Sequence, residues 1–126
     1  VEENLDLASA SRVGQLSEAE LEVVAQAVRA YAGAVPIPCT TCRYCMPCRH
    51  GVDIPTAFSL YNGVKAFGGN QGVLNRIIYQ GHLAKHHGGL CVACKACLRK
   101  CPQKIDIVTW LRTVHAEMSR SPAQGH

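Results

Sequence analysis

Apolar positions along this chain recur with the period of helices. Ser17 followed by Glu20 has the form of a capping box, and Leu21, Val24, Val28 and Tyr31 then fall on one helical face. This predicts a helix over about 18–32, stopped by Gly33, whose apolar stripe packs on the core of the neighbouring domain. The prolines of VPIP, 35–38, set an extended path into Cys39. Asp53 caps a second helix that begins near Pro55 and ends at Gly68-Gly69. Val73, Leu74, Ile77 and Ile78 mark a third from Gln71 to Gln80, closed by Gly81, and HLAKHHGGL reads as a loop or short helical turn. The last helix starts near Asp106 and carries Ile107, Trp110, Leu111 and Val114; from Ser119 the tail, 119–126, is expected to fray. No stretch alternates with period two, so the expected class is all-α.

Between these helices stand two cysteine runs, CTTCRYCMPC at 39–48 and CVACKACLRKCP at 91–102. With a one-residue gap before the fourth cysteine, the first run and its sequel align on the second. Arg43 then matches Lys95, Val52 matches Ile105, Asp53 matches Asp106, Ile54 matches Ile107 and Thr56 matches Thr109. The chain holds two copies of one unit, a cysteine run followed by an Asp-capped helix.

Thiols at C-x2-C-x2-C converge from one tight loop onto neighbouring corners of a compact object. A zinc site more often takes its ligands from two separated knuckles, and the spacer those need is absent here. The second run is C-x2-C-x2-C-x3-C-P, the pattern of bacterial ferredoxins with 4Fe-4S clusters, whose fourth cysteine ligates the other cluster. By that rule Cys39, Cys42, Cys45 and Cys101 hold one cluster, and Cys91, Cys94, Cys97 and Cys48 the other. The crossing ties both halves of the repeat together, so the cluster-free chain should be largely unfolded. Zinc and a disulfide framework are the competing accounts of eight cysteines; the triplet spacing and the lack of a secretion signal weigh against disulfides. With cysteine at every ligand position, the six histidines are assigned to surface and loop roles, His50 being placed to tune a cluster by hydrogen bonding. Trp110 and Tyr44 are candidates to shield cluster faces, with core packing as the alternative.

Composition adds limits. The 126 residues suit one modest domain, and no apolar run is long enough for a bilayer. The formal charge of +4 is offset by two clusters of about −2 each, four thiolates around a 2+ core, so it gives little reason to expect a nucleic-acid partner. The absence of an initiator Met and the charged helical pattern at the start read as an excised domain, and nothing at that end reads as an export signal, which makes the cytoplasm the expected compartment.

Small ferredoxins keep their motifs close together within a β-containing fold, whereas 42 residues separate Cys48 from Cys91 here. That arrangement resembles the α-helical ferredoxins of respiratory iron-sulfur and heterodisulfide-reductase-type subunits. More narrowly, PIPCTTCRYCMPC, the following GVDIP and CVACKACLRKCPQKIDI resemble the ferredoxin-like C-terminal extension of an iron-sulfur branch of the aldo/keto reductases. The resemblance implies a helical linker over 1–38, like the segment by which that family leaves its barrel, and a two-cluster domain over 39–118. It further implies a nicotinamide-dependent barrel as partner, in cis or in trans, alongside an unidentified redox partner protein. The barrel, with its catalytic Asp, Tyr, Lys and His, lies outside these residues. Arg49 stands where that family's first motif usually has Pro, and a cation beside Cys48 is expected to raise the potential of the cluster bound there.

Alone, the chain should catalyse nothing: no nucleophile-base pair, P-loop or dinucleotide fingerprint is present. The leading expectation is an electron-transfer module. A free-standing ferredoxin subunit of a larger oxidoreductase, or a module in which clusters or zinc only staple the fold, are the alternatives.

Overall fold

The computed structural model describes residues 1–120, and the rest of the expected tail, 121–126, lies outside the described residues. By internal contacts the chain divides into two units, 1–31 and 32–126. Among the described residues there are helices and turns and no strand, as the periodicity predicts.

The first unit contains α1 (Glu2–Ala10) and most of α2 (Glu18–Ala34). The capping box before α2 is formed: Ser17 N–H donates to Glu20 Oε2 at 2.8 Å, and Glu20 N–H to Ser17 Oγ at 3.3 Å. The helix runs through Gly33 and ends ahead of Pro36, whose ring cannot continue it. Within this helix Leu21, Val24, Val28 and Tyr31 are exposed.

The second unit holds α3 (Ile54–Phe67), α4 (Gly69–Gly81), α5 (Ile107–Met118) and short 3-10 turns at Gly88–Leu90 and Leu98–Lys100. Ile54, Ala57, Phe58 and Tyr61 line one face of α3, and Ile107, Leu111, Val114 and Met118 one face of α5; all eight are buried. With Val52 and Ile105, the buried residues just ahead of each helix, they form the core. Asn62 on α3 receives Ile37 N–H at 3.1 Å and donates to Ile37 O at 2.8 Å, which fastens the fully buried Ile37 and delivers the chain to Cys39. A second set of ties joins the helices. Glu117 accepts from Tyr61 Oη at 2.9 Å and Lys65 Nζ at 2.7 Å, and its carbonyl takes Arg76.

The third predicted helix exists, two residues longer at its start, but it presents a different face. Val73, Leu74 and Ile77 are exposed, whereas Gly72, Asn75 and Tyr79 are buried. Close approach explains the choice. Asn75 sits against Gly63 of α3, where any Cβ would collide with its amide, and Gly72 lies against Val64. A polar side chain, held by Gln71 at 3.2 Å, thus occupies the interface that the apolar residues were expected to fill. At the other end Tyr79 Oη accepts from Gly88 N–H at 3.0 Å, positioning the turn that leads into Cys91.

Candidate metal centre

The two cysteine runs share a backbone device. Thr41 and Arg43 in the first, Ala93 and Lys95 in the second, take left-handed φ values of 54°, 64°, 57° and 60°. These residues occupy equivalent places around the second cysteine of each run. Alternating handedness folds successive N–H groups toward a common concavity, the arrangement that binds anions. The Thr41 backbone beside Cys39 accordingly works to lower that thiol, against the burial that raises it. The repeat therefore extends to conformation, and it continues into the helices: Asp53 and Asp106 both stand at N-caps, and both engage the threonine three residues on. The two caps differ in detail. Asp106 Oδ1 accepts from Thr109 N–H at 3.3 Å, whereas Asp53 Oδ2 accepts from the Thr56 hydroxyl at 2.8 Å and Oδ1 faces Arg43 at 3.8 Å.

All eight cysteines are free thiols. Cys39, Cys42, Cys45 and Cys101 line one cavity, together with Ile54, Phe58 and Ile107 from the core. Cys48, Cys91, Cys94 and Cys97 line a second, wider one of about 370 Å³, which Cys45 also touches. The fourth thiol of each run thus faces the cavity built from the other run's triplet. Cys101 and Cys42 lie close enough to raise the Cys39 thiol, and Cys91, Cys48 and Cys94 the Cys97 thiol, while Cys45, which borders both cavities, feels Cys39, Cys97 and Cys101. Burial raises the Cys39 and Cys97 thiols and pushes Cys45 up to about 11, with adjacent thiols adding to it. Such a set gives up its protons together only to a strongly cationic centre.

No three His, Cys, Asp or Glu side chains among the described residues are grouped tightly enough to hold a single metal ion. Four thiols spread around a cavity suit a larger, polynuclear object, which sets this donor set apart from a zinc knuckle. The narrower cavity is small, about 20 Å³, and its four thiols are of the kind that ligate such an object.

The family model of the 4Fe-4S dicluster domain matches residues 38–105, which include every cysteine. The chain belongs to that family. No curated protein and no solved structure matches it. Membership carries the cofactor: the dicluster domain binds two 4Fe-4S clusters with its eight cysteines in two loops, and its chemistry is one-electron transfer.

Of the other side chains singled out in the sequence, His50 and Arg49 line the wider cavity beside Cys48. Trp110 lines neither; its ring packs on Tyr61 with centroids 6.1 Å apart, which is core packing. Tyr44 is exposed and also lines neither cavity. Sequence reasoning missed Ile54, which with Cys45 lines both cavities of this dicluster domain. Its signal was its place in the repeat, opposite Ile107.

Proposed function

We propose that this chain is the electron-transfer module of an aldo/keto reductase-type oxidoreductase, joined in cis or in trans to a nicotinamide-dependent barrel. In this reading Cys39, Cys42, Cys45 and Cys101 hold one cluster and Cys91, Cys94, Cys97 and Cys48 the other, and the module works in the cytoplasm. The observation that carries electron transfer is that Cys45 and Ile54 line both cavities, so two redox sites adjoin in one small helical unit. Each cluster stores and releases one electron. The chain's part is to bury the sites, to aim backbone N–H groups at sulfur and to place charge nearby, the levers by which a protein sets potential. Support for the barrel comes from PIPCTTCRYCMPC, GVDIP and CVACKACLRKCPQKIDI, and from the likeness of 1–38 to a barrel exit segment. No helix of the described residues is long and apolar enough to cross a membrane.

The test is anaerobic. Purified chain should contain about eight irons and eight sulfides, show a reduced-state paramagnetic signal, and cycle reversibly in a potentiometric titration. Clusters that bleach on reduction and never return would reduce them to staples. The barrel is tested separately, by adding reduced nicotinamide cofactor to the chain with and without its upstream coding sequence; cluster reduction in neither case removes the aldo/keto reductase assignment.

A further inference from the structure

Charge is distributed unevenly along this chain. Residues 1–31 carry six Asp and Glu against two Lys and Arg, while residues 32–126 carry eleven Lys and Arg against three Asp and Glu. The two cavities share that basic excess unequally. Around the narrower one the single lining cation, Arg43, lies 3.8 Å from the Asp53 carboxylate. Around the wider one stand Arg49, Lys95, Arg99 and Lys100, with no Asp or Glu in the lining. All four are exposed, and none is in an ion pair among the described residues. Cys94 is exposed between them. Four cations exceed the charge of about −2 that a bound cluster brings, so this rim stays positive when the site is filled.

We infer that this rim, Arg49, Lys95, Arg99 and Lys100 around the cavity of Cys48, Cys91, Cys94 and Cys97, is the docking surface for an acidic one-electron carrier protein. The inference rests on the electron-transfer reading above and adds the port and the chemistry of the partner. An acidic face meeting this rim is steered to the point where an exposed ligand thiol shortens the path to the cluster. One electron leaves the carrier's reduced centre and enters the cluster, whose core passes from 2+ to 1+ as the carrier is oxidised by one; no bond forms and no proton moves. The lining contains no Phe, Tyr or Trp, so the stacking platform that single-stranded nucleic acid uses is missing.

The experiment uses the cluster-loaded full chain, with an acidic 2Fe-2S ferredoxin and the basic cytochrome c as probes. Second-order rates of electron exchange are measured by anaerobic stopped flow from about 20 to about 500 mM salt. With the acidic carrier the rate should fall roughly tenfold or more across that range, and with cytochrome c it should rise. The slope, unlike the absolute rate, does not depend on driving force. An Arg99→Glu/Lys100→Glu variant with unchanged iron content should be roughly tenfold slower toward the acidic carrier at low salt and converge with the parent at high salt. Lys85→Glu/Arg120→Glu, the same charge change away from the cavity, should have little effect. Equal slowing by both variants, a salt-independent rate, or a single-stranded oligonucleotide that binds the rim and blocks exchange would each overturn the assignment. A chain whose clusters dithionite cannot reduce would overturn the electron-transfer reading with it, whereas reducible clusters with no charge selectivity overturn the port alone.

Discussion

Replacing Cys101 by Ala tests the crossed arrangement most directly. In sequence Cys101 is the fourth member of the second run, yet its thiol lines the cavity of Cys39, Cys42 and Cys45. If it ligates there, the variant loses the same cluster as Cys39→Ala and keeps the one that depends on Cys91. Iron should fall from about eight to about four per chain. The lost link also closes a long loop. Cys45 and Cys101 are 56 residues apart, and a cross-link over about 56 residues restricts the unfolded chain by about 4 kcal/mol. That is a large part of the stability of a small domain. The assays are anaerobic iron and sulfide counts, paramagnetic resonance of the reduced form, and urea unfolding followed by cluster absorbance. Cys48→Ala should give the complementary result, losing the signal that depends on Cys91. Finding that Cys101→Ala removes the signal lost in Cys91→Ala, and spares the one lost in Cys39→Ala, would refute the crossing and the loop argument together.

Three further outcomes follow from particular contacts. Gly63→Ala forces a methyl group onto the buried Asn75 amide and should cost about 2 kcal/mol in urea melts, whereas Gly33→Ala, with open space at its Cβ, should be neutral or slightly stabilising. Stability should fall with acid in two stages. Burial, then the neighbouring His87, holds His115, whose Nδ1 lies 3.1 Å from Tyr79 Oη, below its ordinary 6.5, so unfolding takes up a proton and the loss begins below about pH 6.5. Burial opposes ionisation of Glu117, but the hydrogen bonds from Lys65 and Tyr61 outweigh it and keep the carboxyl below 4.5, so the second stage begins under about pH 4.5. Thermal melts with cluster absorbance as a control measure both, and His115→Gln should flatten the first stage; an unchanged slope would reject its cause. Arg49→Gln should lower the midpoint potential of the cluster beside Cys48 by roughly 10–40 mV, the scale of an exposed charge interaction, with the other potential unmoved.

Local signals determined much of this protein before any tertiary contact was known. The Ser17–Glu20 box, the helix starts at Asp53 and Asp106, and the cysteine intervals each depend on residues within one or two turns of each other, so their consequences can be read along the chain. The repeat reached further than its letters, because a shared loop geometry imposes the left-handed residues at 41, 43, 93 and 95. Periodicity also located α4, but the face it presents was decided elsewhere. Gly63 on a different helix opened the space that Asn75 fills, and that pairing, with Gly72 against Val64, turned Val73, Leu74 and Ile77 outward. Trp110 went to Tyr61 for the shape of the core, and Ile54 came to line two cavities whose walls are drawn from residues some fifty positions apart. Intervals along a chain set what a segment can bind or become. Which of its faces is covered depends on the volumes of partners distant in sequence, and those meet only when the chain has folded.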